Sequence, residues 1–95
     1  MKAKVVWLKP EDGGRKKMPP LNVKIYVTIK LDKDKDYINW SVYVMNNEHV
    51  TDYETNSIVD FVMPDAPRYL LQPGLTFTLR EGAKKVAEGK FFDKE

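Results

Sequence analysis

Residues 75–89 read LTFTLREGAKKVAEG, and this stretch decides the fold. Leu75, Phe77 and Leu79 alternate with Thr76, Thr78 and Arg80, the period of a half-buried strand. Glu81-Gly82 interrupts the alternation, and glycine takes the positive φ of a tight turn without steric cost. Lys84, Val86, Phe91 and Phe92 supply a return strand, with Gly89 expected as a bulge inside it. A lone hairpin is not stable in water, so the chain must build a sheet around it.

The flanking sequence offers the strands. From Met1 to Leu8, Ala3, Val5 and Trp7 share one face, and Lys2, Lys4, Val6 and Leu8 the other. A polar loop, Lys9 to Lys17, follows, and Met18-Pro19-Pro20 stops the ladder because proline has no N–H to donate. Leu21, Val23, Ile25, Val27, Ile29 and Leu31 alternate strictly with Asn22, Lys24, Tyr26, Thr28 and Lys30, predicting a strand over 21–31 with one face in a core. A turn at 32–36 leads to a strand from Tyr37 to Met45, with Ile38, Trp40, Val42 and Val44 inward. Asn46-Asn47-Glu48 carries turn chemistry and is expected to end it. Residues 48–56 read equally as a short strand or a loop. The apolar run Ile58 to Met63, interrupted by Asp60, is closed by Pro64-Asp65-Ala66-Pro67, and Tyr69-Leu70-Leu71 leads into the Gln72-Pro73-Gly74 turn. About six closely spaced strands without an amphipathic helix predict an all-β barrel or sandwich, one domain over 1–95.

Composition sets the outer bounds. With 42% hydrophobic and 12% aromatic residues, the chain has enough apolar surface to offset its conformational entropy. It has no cysteine, which removes disulfides and thiolate metal sites and suits a reducing compartment. Nothing approaches the run of about 18 apolar residues that a membrane helix needs, nor a signal peptide, so a cytoplasmic protein is expected. The net charge of +2 is unevenly laid out. Residues 1–30 hold eight Lys/Arg and two acids, residues 31–65 two Lys and eight acids, and residues 66–95 six Lys/Arg and four acids. Either a positive surface faces phosphates or an acidic protein, or strand pairing intermixes the charges.

Candidate reactive groups are sparse. Asp32, Asp34 and Asp36 have the spacing of the first ligands of a calcium loop, but Tyr37 stands where its glycine belongs and Tyr43 where its glutamate belongs. His49 is the only histidine, beside Glu48 and Asp52, with no Cys and no Ser in a recognisable nucleophile motif for it to activate. Gly13-Gly14-Arg15 is not followed by Lys-Ser/Thr or by a helix, which argues against a P-loop nucleotide site. No metal or cofactor is expected. Arg15, Lys16 and Lys17 form a cationic segment suited either to an RNA backbone or simply to a solvated loop. Trp7 and Trp40 belong to the core. As base-stacking candidates this leaves Tyr26, Tyr37 and Tyr43.

Two segments together resemble a known family. KAKVVWLKPEDGGRKKMPP, residues 2–20, is similar to the opening of the C-terminal β-barrel (domain 3) of elongation factor Tu, where a strand enters a Glu-Glu-Gly-Gly-Arg loop. PGLTFTLREGAKKVAEGKF, residues 73–91, resembles that barrel's closing hairpin, and Phe61-Val62-Met63-Pro64 resembles its Val-Met-Pro-Gly turn. The resemblance implies a six-stranded antiparallel closed barrel without catalytic residues, whose family members help hold the T-stem of aminoacyl-tRNA. It places Arg15 on a tRNA-backbone contact, and Glu81 and Gly82 on the other edge of that surface. Ala83 departs from the family's second glycine, the family's Gly-Tyr-Arg-Pro-Gln-Phe segment is replaced by LNVKIYVTIK, and residues 32–57 differ in detail.

The expectation is therefore a non-enzymatic binding module. It would meet tRNA or a translation component through Arg15, Lys16, Lys17, Arg80, Glu81 and Gly82. The alternative is a protein-interaction module of inhibitor or immunity type, which binds a specific protein through the acidic stretch 32–65 or an aromatic patch and binds no RNA.

Overall fold

A computed structural model describes residues 1–32 and 39–93. Its strands are β1 (Lys2–Trp7), β2 (Lys24–Leu31), β3 (Trp40–His49), β4 (Glu54–Phe61), β5 (Thr76–Glu81) and β6 (Lys84–Asp93). Single 3-10 turns lie at Pro10–Asp12 and Arg68–Leu70. Every strand pairing is antiparallel, in the order β1-β4-β3-β2-β5-β6, and β6 returns to β1. The expected six-stranded closed barrel is thus what this chain forms. Closure leaves no edge strand to be covered. Among the described residues no helix is long and apolar enough to cross a membrane.

Alternation in the sequence becomes inside and outside in the barrel. Ala3, Val5 and Trp7 of β1, Val27, Ile29 and Leu31 of β2, and Phe77 and Leu79 of β5 are buried. Their neighbours Lys2, Lys4 and Thr76 lie on the outer wall. Each large side chain removed from water contributes about 1.5–3 kcal/mol, so the filled interior dominates stability. Phe77 and Phe91 pack against each other across β5 and β6, with ring centroids 4.6 Å apart and planes tilted by 38°. Trp40 meets Phe61 edge-on at 6.0 Å.

Gly89 makes the aromatic packing fit. It pairs with Phe77 on one side and Val5 on the other, both inward positions. A Cβ there would lie 2.5 Å from the Phe77 ring and 2.7 Å from the Lys4 carbonyl oxygen. Gly89 therefore stays in register, contrary to the bulge expected there. The register shift between β5 and β6 falls instead at Val86, between the pairs Leu79↔Ala87 and Arg80↔Lys85.

Other boundaries also move. The strand expected over 21–31 begins at Lys24, because Asn22 adopts φ of 61° and breaks the extended run. Leu21 then makes a parallel bridge to Asn46, and Val23 is left exposed. Asn46-Asn47-Glu48 does not end β3. The strand continues to His49 by bulging between Asn46 and Glu48, and Asn46 is fully buried. The ambiguous segment 48–56 is the β3–β4 hairpin. Tyr69-Leu70 forms part of a 3-10 turn. The turn expected around Asp34 and Asp36 and the strand start expected at Tyr37 and Ile38 fall on residues outside those described. Asp32 accepts a hydrogen bond from the Thr76 hydroxyl.

Strand directions sort the connections. β1, β3 and β5 run toward one end of the barrel, and β2, β4 and β6 run back. The β1–β2 loop, the β3–β4 turn and the β5–β6 turn therefore share that end.

Candidate nucleic-acid interface

The β1–β2 loop is shaped by backbone contacts before its side chains matter. Leu8 N–H donates to Val86 O at 2.9 Å, tying the loop's start to β6. Gly13 N–H donates to Pro10 O at 3.1 Å, and Gly14 N–H to Lys9 O at 2.9 Å, which folds the loop back on itself. Gly14 is then pressed against Leu8, where a Cβ would sit 1.9 Å from the Leu8 carbonyl oxygen. Only glycine permits that approach. It aims Arg15 across the end of the barrel.

There Arg15 Nη1 donates to Glu81 Oε1 at 2.9 Å. The loop after the first strand and the turn between the last two thus form one surface. Arg15, Lys16, Lys17, Glu81 and Lys84 line a concavity of about 480 Å³. Lys16, Lys17 and Lys84 are exposed, and among the described residues none of them forms an ion pair. Among the described residues, Glu81 is the one acidic member of the lining.

The hairpin turn places the other expected residues. Glu81 pairs with Lys84, leaving Gly82-Ala83 as a two-residue loop. Gly82 has φ of 62°, whereas Ala83 needs no left-handed conformation. Positive φ at the first loop position alone is the requirement of a II′ turn, which explains how alanine is accommodated at the second. Arg80 lies on the far side of Glu81, half-buried, and donates from Nη1 to Ala83 O at 3.4 Å. It borders a second depression with Tyr26, Thr28, Ser41, Glu81 and Gly82. All six residues expected from the sequence therefore surround two adjoining depressions. Lys84 was missed, although its place directly opposite Glu81 follows from the hairpin.

The remaining candidates lie elsewhere. His49 is exposed at the end of β3, and Glu48 accepts from Asn56 Nδ2 at 2.6 Å. No group of three or more His, Cys, Asp or Glu side chains gathers among the described residues. A buried polar cluster was not foreseen. Trp7 Nε1 donates to Thr55 Oγ1 at 3.2 Å, Thr55 Oγ1 lies 2.9 Å from Ser57 Oγ, and both hydroxyls donate to Asn46 Oδ1 at 2.9 and 2.8 Å. Its only sequence signal was a Thr and a Ser at the alternating, inward positions of β4. The cluster is sealed in the core and out of reach of a substrate.

Compared with protein-family models and with curated protein sequences, the chain matches none.

Proposed function

We propose that this barrel is a non-catalytic module that binds RNA through the sugar–phosphate backbone, at the end where the β1–β2 loop meets the β5–β6 turn. One observation carries the reading: barrel closure gathers four cations around one concavity, and among the described residues only Arg15 has an ion-pair partner there. Clustered, unpaired lysines around a tethered guanidinium suit phosphate oxygens, since Arg supplies a directed donor fork and Lys a mobile point charge. The likeness of residues 2–20 and 73–91 to the elongation factor barrel supports the same surface and points to tRNA or another translation component in the cytoplasm. Backbone contacts of this kind confer affinity without reading sequence.

The test is binding of labelled tRNA, followed by fluorescence anisotropy, with wild type and a Lys16→Glu/Lys17→Glu variant. The variant is expected to bind at least about ten-fold more weakly at low salt, as two phosphate contacts become repulsions. Equal binding by both proteins, or none by wild type, would reject the reading. In that case, recovery of one discrete protein by the immobilised barrel would favour the protein-interaction alternative.

A further inference from the structure

The backbone reading leaves Tyr26 unused. The residue is 66% exposed on the outer face of β2, two positions from the strand's start. Single exposed rings are common, so exposure alone decides nothing. The surroundings decide more. The cross-strand neighbour Tyr43 is half-buried, with the Lys24 ammonium 4.6 Å from its ring centroid. On the other side the wall gives way. Thr28 is the last β2 residue, toward the barrel end, to pair with β5, whereas β2 itself extends to Lys24. Beside Tyr26 the strand ladder is replaced by the Gly82-Ala83 turn, and a notch forms between Tyr26, Thr28, Ser41, Arg80 and Gly82. Glu81 lines both this notch and the cationic concavity, so the two meet across a single side chain.

An accessible aromatic face, a guanidinium, two small hydroxyls and a bank of lysines are the parts of a site for a nucleotide chain with one base turned out. A ring stacks on the flat face of a base, and in a continuous duplex those faces are already covered by neighbouring base pairs. We infer that Tyr26 is a stacking platform for an unpaired base, so the RNA class this surface accepts carries a single-stranded or looped segment beside the phosphates held by the lysines. This rests on the RNA reading above and assigns the depression that reading leaves empty.

The test compares Tyr26→Ala and Tyr26→Phe on three labelled probes: an unstructured RNA strand, a blunt RNA duplex, and heparin, a polyanion without bases. Because the ring is largely solvated, both variants are expected to melt like wild type, which separates stacking from folding. Tyr26→Ala should weaken the single strand about ten-fold and leave duplex and heparin unchanged, while Tyr26→Phe keeps wild-type affinity. Equal loss on all three probes, or no loss on the single strand, would overturn the stacking role. If the lysine variant loses every probe while Tyr26→Ala loses none, the backbone reading survives and this inference fails. If wild type binds heparin but neither RNA, both fail.

Discussion

Arg15 and Glu81 lie 66 positions apart in the chain, yet the guanidinium donates to the carboxylate at 2.9 Å. The two side chains are 32% and 41% exposed. A pair this wet is worth no more than about 1 kcal/mol, far less than the aromatic and aliphatic core. Its role is placement: it holds one cation at the rim and keeps a negative charge among four positive ones.

Glu81→Gln follows from that placement. The amide still offers an oxygen to Arg15, so thermal stability should stay close to wild type. Removing the charge should raise RNA affinity about two- to five-fold at low salt, a gain of the size that exposed charges deliver. Anisotropy titration reads it. Weaker RNA binding by the glutamine variant would show that Glu81 serves the ligand directly.

Gly89→Ala tests the packing of the barrel wall. The new methyl meets the Phe77 ring and the Lys4 carbonyl, and overpacking of this kind costs about 1–3 kcal/mol. Adding Phe77→Leu removes the ring atoms but not the backbone clash, so the double variant should recover part of what the overpacking costs. Urea unfolding of the single variants and the double completes the cycle. A Gly89→Ala protein as stable as wild type would refute the close approach.

Thr55 joins three partners in the buried polar cluster, whereas Ser57 joins two. Thr55→Val keeps the shape but strands the Trp7 indole N–H and weakens the hold on Asn46. The expected cost is about 1–3 kcal/mol, and it should exceed that of Ser57→Ala, which leaves Asn46 Oδ1 its bond from Thr55. Denaturant melts followed by tryptophan fluorescence supply the comparison. The reverse ranking would mean that Ser57, not Thr55, is the centre of the cluster.

At the opposite end, Arg68 clamps the β4–β5 connection. Its Nη1 donates to Met63 O at 3.2 Å and Pro64 O at 3.0 Å, its Nη2 to Phe61 O at 3.2 Å, and its Nε lies 3.5 Å from Asp60 Oδ1. A lysine cannot reach four acceptors in one plane. Arg68→Lys should speed amide exchange at Ala66, Leu70 and Leu71, whose N–H groups close this segment's turns, with little change in the melting temperature. Unchanged exchange would show that the segment holds itself.

The sequence carried the barrel through its alternations. Ala3, Val5 and Trp7, or Leu75, Phe77 and Leu79, state which face is inside without knowledge of the partner strand. It carried the hairpin turn through Gly82. What it hid depends on neighbours distant in the chain. Asn22 and Asn46 both resemble turn residues, but one breaks a strand by taking positive φ, while the other is buried within a strand and met by two hydroxyls from β4. Gly89 resembles a bulge until the Phe77 ring lies over it. The candidate site was legible as two separate cationic or turn segments. Their union depended on closure of the barrel, and the notch beside Tyr26 depended on β5 ending short of β2, which no local pattern encodes.

The most direct measurement is the salt dependence of RNA affinity for wild type and for a Lys16→Ala/Lys17→Ala/Lys84→Ala variant. Three phosphate contacts to a single strand predict a log–log slope steeper by about 2 in wild type than in the variant. That difference is the expected result. Parallel slopes, or wild-type affinity that does not fall as salt rises, would contradict a surface assembled to hold phosphates.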